Sequence, residues 1–171
     1  ITKNALVASD YYVVPEKPDY LSTLGFEELE RNIVELVKEY NYNAELKGDY
    51  KYSKINPISL GMISNMISVR NNGPISTQTY YIDQVIKSGR MVFKTKIRDN
   101  KTIYAKAPEE GIPVVLNKPS DSTSKAVNEE LKDLTDELAS LLENDQYLIY
   151  AISWSTSSKK NIIYVFDCLK N

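Results

Sequence analysis

Short apolar runs alternate with longer amphipathic stretches along this chain of 171 residues, and that alternation limits the fold more than any other feature. An apolar run can be buried between two layers as a strand of a parallel sheet, while an amphipathic stretch covers one face of the sheet as a helix. The pattern therefore predicts an α/β fold with a mostly parallel sheet and flanking helices. Ligands of such sheets bind beyond the carboxyl ends of the strands, so site residues are expected there.

Three apolar runs are predicted to be the strands of this sheet. The first, Tyr11–Val14, is expected to stop at Pro15, because proline cannot donate to a hydrogen-bond ladder. The second covers residues 58–67 and carries a polar Asn65 close to its carboxyl end. The third covers residues 91–97. Their carboxyl ends are the predicted location of a site.

Two stretches between these runs have the apolar spacing of helices. Residues 21–41 are predicted to form one helix, with Ser22 or Thr23 as its cap. Residues 76–88 are predicted to form another, closed by Gly89. The side chains expected to face the sheet are Leu29, Ile33, Leu36 and Tyr40 in the first helix and Tyr81, Ile82, Val85 and Ile86 in the second.

The clearest helical pattern lies in residues 123–143, after a long loop that Pro108, Gly111 and Pro113 are expected to punctuate. A stripe of two or three heptads favours an ordinary helix packed on a sheet, and the alternative is a coiled-coil seam. The stripe consists of Val127, Leu131, Leu134, Leu138 and Leu141.

The remaining segments suggest how the chain is divided. Residues 42–57 are rich in tyrosine, asparagine and lysine and are predicted to be a connector or insertion with little regular structure. Residues 147–154 and 162–169 are rich in β-branched and aromatic side chains, which predicts a terminal β-hairpin. The expected division is an α/β unit over residues 1–145 and a hairpin extension over residues 146–171.

Composition excludes several classes of protein. The chain is 42% hydrophobic and 26% charged, which is typical of a folded globular domain and not of a disordered one. Its single cysteine, Cys168, and its lack of histidine exclude a disulfide framework and a cysteine–histidine catalytic pair. No run approaches the roughly 18 apolar residues of a membrane span. The first residues lack both a signal-peptide pattern and a methionine, so we expect a cytoplasmic location and a start inside a longer protein.

Charge is unevenly distributed although the whole chain carries only −2. Residues 87–106 contain seven basic side chains against one carboxylate, Asp99, a local net charge of +6. Residues 121–145 contain eight carboxylates against two lysines, a local net charge of −6. The basic segment could contact the phosphates of a nucleic acid. Alternatively, its lysines only solvate a strand edge and prevent edge pairing.

Three stretches, the first of them closely, resemble ParA/MinD-type partitioning ATPases of the P-loop NTPase superfamily. Residues 4–25, with Asn-Ala-Leu-Val-Ala-Ser-Asp and Tyr-Tyr-Val-Val-Pro, resemble the segment that follows the Walker B strand. Residues 60–65, Leu-Gly-Met-Ile-Ser-Asn, with Arg70 downstream, resemble the next core strand. Residues 93–100, followed by Ala-Pro and Gly-Ile-Pro within residues 107–113, resemble the adenine-side loop. The resemblance covers roughly residues 1–116, and the hairpin has no counterpart in it.

The resemblance implies a nucleotide site whose base-recognition side lies in this chain. Asn65 would hydrogen-bond the adenine edge, because an amide offers a donor and an acceptor together. Ile97, Arg98 and Asp99 would border the base and ribose, although the family often has proline at position 97. No catalytic and no metal-binding residue is expected here, and ATP and Mg²⁺ are cofactors expected only of the full-length parent.

The phosphate-binding half of such an ATPase is missing from the sequence. No Gly-x-x-x-x-Gly-Lys-Ser/Thr motif occurs, and the chain starts a few residues after the place where the Walker B aspartate would lie. We therefore expect that the chain alone neither binds nor hydrolyses ATP. The alternative is a catalytically inactive relative that acts as an interaction or oligomerisation module.

The family also implies association and DNA binding without sequence preference. Expected partners are the missing N-terminal half, a second copy in a homodimer or higher assembly, DNA and a ParB-like protein, without a membrane. An isolated half of a parallel sheet leaves an open edge, so either interpretation predicts association. The candidate DNA-binding residues are Arg70, Lys87, Arg90, Lys94, Lys96, Lys101 and Lys106.

Overall fold

The computed structural model describes residues 2–47, 53–71, 73–144 and 162–164. Helices separate the strands of the main sheet along the chain, and a single turn of 3₁₀ helix (Val114–Leu116) precedes the last helix. In chain order the helices and strands are α1 (Thr2–Val7), β1 (Tyr11–Glu16), α2 (Tyr20–Lys47), β2 (Ile58–Ile67), β3 (Val69–Arg70), β4 (Gly73–Pro74), α3 (Ser76–Lys87), β5 (Val92–Arg98), α4 (Lys101–Glu110), α5 (Ser122–Asn144) and β6 (Ile162–Tyr164).

The main sheet has the strand order β5-β2-β1-β6, and all of its pairs are parallel. Strands β3 and β4 form a separate antiparallel hairpin just beyond the end of β2. The prediction of an α/β fold with a mostly parallel sheet and flanking helices is therefore confirmed. Of the predicted terminal hairpin, only β6 lies among the described residues, and it pairs with the first half of β1. The strand expected at residues 147–154 lies outside them.

Strand β1 continues through Pro15 to Glu16, so the prediction that proline ends it was wrong. Strand β6 pairs only with Tyr11, Tyr12 and Val13. Beyond Val13, β1 is paired on the β2 side alone among the described residues. A proline is tolerated at such an edge position, because the N–H that it lacks can belong to the unpaired side.

The sheet is covered on both faces, and successive side chains of β1 point alternately to the two resulting core layers. Both layers take residues from β1, which explains why its sequence is a continuous apolar run rather than an alternating one. The layer beside α2 and α3 contains Leu6, Tyr12, Val14, Phe26, Ile33, Met62 and Val85. The layer beside α4 and α5 contains Tyr11, Val13, Leu60, Ile63, Phe93 and Ile97.

Helix α2 differs from its prediction at both ends. Its first turn is capped by Asp19, whose Oδ1 accepts a hydrogen bond from the Ser22 N–H at 2.9 Å, so the expected caps Ser22 and Thr23 were wrong by one turn. The helix continues to Lys47, through residues assigned to an irregular connector. Ala, Glu, Leu and Lys in residues 44–47 are strong helix formers, which explains the extension.

Helix α3 buries part of the face predicted for it, together with one polar residue that was not predicted. Ile82 and Val85 are buried as expected, but Ile86 is 52% exposed. The third buried side chain is Gln78, which lies one turn before Ile82 and is only 5% exposed. The spacing of four and three therefore starts at a polar residue, which the apolar pattern alone does not indicate.

The long loop predicted after β5 contains helix α4. Asn100 caps it, since its Oδ1 accepts a hydrogen bond from the Ile103 N–H at 3.0 Å. Gly111 ends it in a left-handed conformation with φ 64°, and Pro108 stands in the last turn. Proline and glycine at these positions therefore mark the end of a helix, and the segment before them is not a loop.

Helix α5 carries the leucine stripe against the sheet. Its leucines pack on the core layer that contains Phe93 and Ile97, and Val127 is fully buried. The interpretation as an ordinary helix packed on a sheet is confirmed, and the coiled-coil seam was wrong for this stripe.

Candidate functional site

A cavity of about 440 Å³ lies at the carboxyl ends of β1, β2 and β5. Helix α4 closes one side of it with Tyr104, and α5 contributes Leu134. All four side chains named as nucleotide-binding candidates border this cavity, although more than thirty positions separate Asn65 from the others. They are Asn65, Ile97, Arg98 and Asp99.

The cavity has an apolar interior and a polar rim. Ile63 and Ile97 come from the sheet, and both are buried, with Pro15 and Leu134 beside them. The polar groups lie where strands β2 and β5 end. This arrangement and volume are typical of sites that bind a small, partly apolar ligand and orient it with a few hydrogen bonds.

Asn65 presents donors to the cavity and keeps its acceptor inside the protein. Its Oδ1 accepts a hydrogen bond from the Met66 N–H at 2.8 Å, which also fixes which end of the amide is the oxygen. Its amide nitrogen donates to none of the described residues. In this conformation the NH₂ group is free among the described residues, while Oδ1 already accepts one hydrogen bond from the chain itself.

The backbone directly after Asn65 is unusual. Met66 has φ 53°, a left-handed conformation that residues other than glycine rarely adopt, and its side chain is 54% exposed. Two hydrogen bonds from the buried amide of Gln78 hold this turn. Its Nε2 donates to the Met66 carbonyl at 3.1 Å, and its Oε1 accepts from the Ser68 N–H at 2.8 Å.

Arg98 borders the cavity but is held by a carboxylate of α5. Its Nε and Nη2 lie 2.8 and 2.7 Å from Glu130 Oε1, and its backbone N–H donates to Oε2 at 3.1 Å. The hydrogen bond to Glu130 raises the pKa of Arg98 above its ordinary value. Arg98 is thus a fixed part of the wall rather than a cation that is free to reach a ligand.

Tyr104 closes the cavity with its ring. Burial raises the pKa of its phenol, and the nearby Glu130 charge raises it further. Its hydroxyl is buried and has no hydrogen-bond partner within the described part of the chain. The ring is therefore the part of Tyr104 that can meet a ligand.

A second cavity, of about 700 Å³, lies on the opposite face of the sheet and shares Pro15, Asn65 and Met66 with the first. The first turns of α2 form its other side, including Leu21, which is 74% exposed. Asn65 and Met66 therefore form a wall between two cavities, one on each face of the sheet.

The outer edge of β5 is closed by α5. Lys94 and Thr95 donate their backbone N–H groups to Glu137 Oε1 and Oε2, at 2.7 and 2.9 Å. Two consecutive N–H groups can reach one carboxylate because β5 bulges between Val92 and Lys96, which pair with Met62 and Ser64 of β2.

Glu137 is stabilised in its charged form by this contact. Partial burial raises its pKa, but the hydrogen bonds from the Lys94 and Thr95 N–H groups outweigh burial and hold the pKa below its ordinary value. The prediction of an open edge is therefore wrong on the β5 side. The acidic segment of the sequence lies against the basic one and offsets part of its charge.

Arg90 is bound to side chains of α2 and is not part of a free basic patch. Its guanidinium lies 2.5 Å from Glu30 and 3.5 Å from Glu27, and it stacks over the Phe26 ring at 5.6 Å. These contacts fix the start of β5 to α2.

The other DNA-binding candidates do not form one patch. Lys94 is electrostatically coupled to Glu137, and Lys96 donates to the Lys94 carbonyl at 3.0 Å. Arg70 and Lys101 lie near the carboxyl ends of the strands, whereas Lys87 ends α3 at the opposite end of the sheet. Among the described residues, Arg70, Lys87 and Lys101 form no ion pair. The side chain of Lys106, in α4, lies outside what the structure describes.

No helix among residues 2–47, 76–87, 101–110 and 122–144 is long and apolar enough to cross a membrane. No group of three or more acidic or cysteine side chains in the described part of the chain has the arrangement of a metal site.

Comparison with known proteins gives one informative similarity. The chain is 34% identical over 98 residues to a protein of Methanocaldococcus jannaschii named "Uncharacterized protein MJECL24". The matched region is 53% of this chain and only 38% of that protein, so the chain spans well under half of its relative. No family model matches the chain, and no solved structure matches it.

Proposed function

We propose that the chain is the base-recognition half of a ParA/MinD-type partitioning ATPase, and that the 440 Å³ cavity binds the adenine of ATP. One observation carries this proposal. The four residues for which the family resemblance implies adenine or ribose contacts border a single cavity at the carboxyl ends of three parallel strands. This is where α/β sheets bind nucleotides.

The two polar groups at the rim match the edge of adenine. The free NH₂ of Asn65 would donate to a ring nitrogen, and the exposed carboxylate of Asp99 would accept from the exocyclic amine. Ile63 and Ile97 would contact the faces of the base. Arg98, held by Glu130, would fix the rim beside the ribose.

The remaining functions belong to the proposed full-length parent. It would be cytoplasmic and would bind ATP and Mg²⁺ with its phosphate loop, dimerise, and engage a ParB-like partner and DNA. Lys101, which borders the cavity, and Arg70, in β3 just beyond the end of β2, form no ion pair among the described residues and are the best-placed candidates for phosphate contacts of DNA.

A second candidate function is an inactive interaction module. The observation that favours it is the 700 Å³ cavity lined by α2, with Leu21, Leu24 and Met66 exposed around it. Large exposed apolar patches mark interaction sites in soluble proteins. This function requires no ligand in the smaller cavity, so one titration separates the two.

The test is an NMR titration of this chain with adenosine and with ATP. Adenosine at millimolar concentration should shift the amide signals of Asn65 and of residues 97–99. ATP should bind no more tightly, because the sequence contains no phosphate loop. Micromolar affinity for ATP would contradict the base-only site, and unchanged signals at saturating adenosine would exclude the cavity as an adenine site.

The matched variants change one atom each. Asn65→Asp retains the oxygen that accepts from Met66 but loses the NH₂ donor, so adenosine affinity should fall about tenfold, as expected for one hydrogen bond to a ligand. Asn4→Asp makes the same change on an exposed site of α1 and should leave the affinity unchanged. Equal affinities of all three proteins would remove Asn65 from the site.

A further inference from the structure

We propose that Gln78 is the positioning residue of this cavity: it locks Met66 in the left-handed conformation and thereby fixes both polar groups of the rim. The inference rests on the proposed adenine site, because it assigns a role within that site. Gln78 itself borders neither of the two cavities at the wall, so it would act through the backbone of residues 66–68.

The strained turn needs an external support. A left-handed conformation costs a residue with a side chain roughly 1–2 kcal/mol, and methionine has no local hydrogen bond that compensates it, unlike asparagine or aspartate. Gln78 supplies the support by bridging the turn: it donates to the Met66 carbonyl and accepts from the Ser68 N–H. The Ser68 carbonyl in turn accepts from the Ile75 N–H at 3.1 Å, which ties the turn to the start of α3.

The burial of Gln78 indicates that this bridge is its role. It occupies an inward position of α3 at which an apolar side chain would suit the core, and it is 5% exposed. A buried amide is costly unless it is hydrogen-bonded, and both ends of this one are. The polar side chain therefore serves the turn rather than the packing of the helix.

The turn at residues 66–68, which Gln78 holds, is connected by hydrogen bonds to both polar groups of the rim, Asn65 and Asp99. Asn65 directly precedes Met66 and bonds its N–H. On the other side, the Ile67 carbonyl, which lies between the two groups held by Gln78, accepts a hydrogen bond from the Asp99 N–H at 2.9 Å. One side chain thus fixes the ends of β2 and β5 relative to each other.

The experiment is a rescue at position 66. Gln78→Leu should weaken adenosine binding about tenfold, a typical consequence of a misplaced contact group. Adding Met66→Asn should restore most of the affinity, because asparagine adopts the left-handed conformation readily and needs no brace. A role of Gln78 in core packing alone would not be rescued by a change at the exposed Met66. Failure of the rescue overturns the proposal.

The same variants give a readout without ligand, which separates this proposal from the adenine site. In Gln78→Leu the backbone chemical shifts of residues 65–68 and Asp99 should move, and Met66→Asn should return them. Gln84→Leu, the same change elsewhere on α3, should leave these shifts in place. Unmoved shifts in Gln78→Leu refute the brace, whereas absence of adenosine binding in the unmodified chain refutes only the adenine site.

A measurement on the unmodified chain covers the case in which Gln78→Leu fails to fold. The amide hydrogen of Ser68 and the side-chain amide of Gln78 should both exchange slowly with solvent, because each is held in the hydrogen bonds described. Exchange of the Gln78 side-chain amide as fast as that of an exposed glutamine overturns the proposal.

Discussion

The outer edge of β5 and its carboxyl end use polar groups in opposite ways. At the edge, the bulged N–H groups of Lys94 and Thr95 are both bound by Glu137. At the end, the carboxylate of Asp99 and the neighbouring NH₂ of Asn65, from β2, border a cavity and bond none of the described residues. A sheet edge is closed to prevent unwanted pairing, whereas free polar groups in a concave site are available to a ligand. The polar groups of the edge thus contribute stability, and those of the end are the ones that the proposed adenine site would use.

The same comparison explains the charge pattern. The basic and acidic segments of the sequence have net charges of equal size and opposite sign, and the fold places α5 along β5. Glu130 and Glu137 face Arg98 and Lys94. Five partly buried leucines of α5 pack on the same core layer, each contributing less than the roughly 1.5–3 kcal/mol of a fully buried side chain, and their sum makes displacement of the helix by DNA unfavourable.

The largest effect is expected where β5 meets β2. Gly61 has φ 104°, and a Cβ added there would lie 2.5 Å from the Met91 carbonyl oxygen, to which the Met62 N–H donates. Gly61→Ala should lower the free energy of unfolding by about 3 kcal/mol or more, because both the conformation and the contact forbid a side chain. Chemical denaturation measures this change.

Gly73→Ala is the control for that substitution. No atom lies within 4 Å of a Cβ at Gly73, and its φ is not in the positive range. Its unfolding free energy should stay within about 0.5 kcal/mol of the unmodified chain. If Gly61→Ala changes the unfolding free energy as little as the control does, β5 does not pack against Gly61 as described.

Glu137→Ala should produce the next largest effect. It leaves two strand N–H groups without their acceptor, which costs about 2 kcal/mol for a partly exposed, charge-assisted pair. Hydrogen exchange at Lys94 and Thr95 should accelerate, while adenosine affinity stays unchanged. Glu129→Ala removes an exposed carboxylate from the same helix and is the matched control. Loss of adenosine binding in Glu137→Ala would break the separation between edge and end.

Acidification should lower the free energy of unfolding, because protonation of Glu137 weakens the same contact at the edge. The pKa of Glu137 is lower in the folded chain than its ordinary value of 4.5, so the folded state binds fewer protons there than the unfolded state. The stability from this carboxylate is present above that ordinary range and is lost as the pH falls through the folded pKa. Glu137→Gln should therefore show a shallower loss of unfolding free energy below pH 4.5 than the unmodified chain. Parallel curves would contradict the assignment.

The sequence predicted the main strands and their layered arrangement better than the segments that depart from the simple pattern. Strand β2 was predicted with its observed bounds, because a long apolar run has one stable location between two helical layers. Helix α4 was mistaken for a loop, since Pro108 and Gly111 are read as breakers unless the cap at Asn100 is recognised. The gathering of Asn65 with residues 97–99 followed from strand ends meeting at one edge of a parallel sheet.

Gln78 and the bulge of β5 depend on long-range geometry. A glutamine in a helix signals nothing by itself, and only its place on the face of Ile82 and Val85 marks it as buried. The bulge depends on the register against β2, which one strand cannot reveal. The same limit applies to the charge runs, because sequence separation conceals that Glu130 and Arg98 are partners.

The smallest expected effect concerns DNA, and it contrasts end with edge most directly. Arg70 and Lys101 lie at the carboxyl end without ion pairs among the described residues, whereas Lys94 is balanced by Glu137. If duplex DNA binds, Arg70→Gln with Lys101→Gln should reduce the slope of log affinity against log salt by about 1.8, since each phosphate contact contributes about 0.9. Lys94→Gln should change that slope far less. Titrations at low and moderate salt measure both, and a reduction of about 0.9 by Lys94→Gln, the value of one full phosphate contact, would place the DNA surface on the edge, against the acidic helix that covers it.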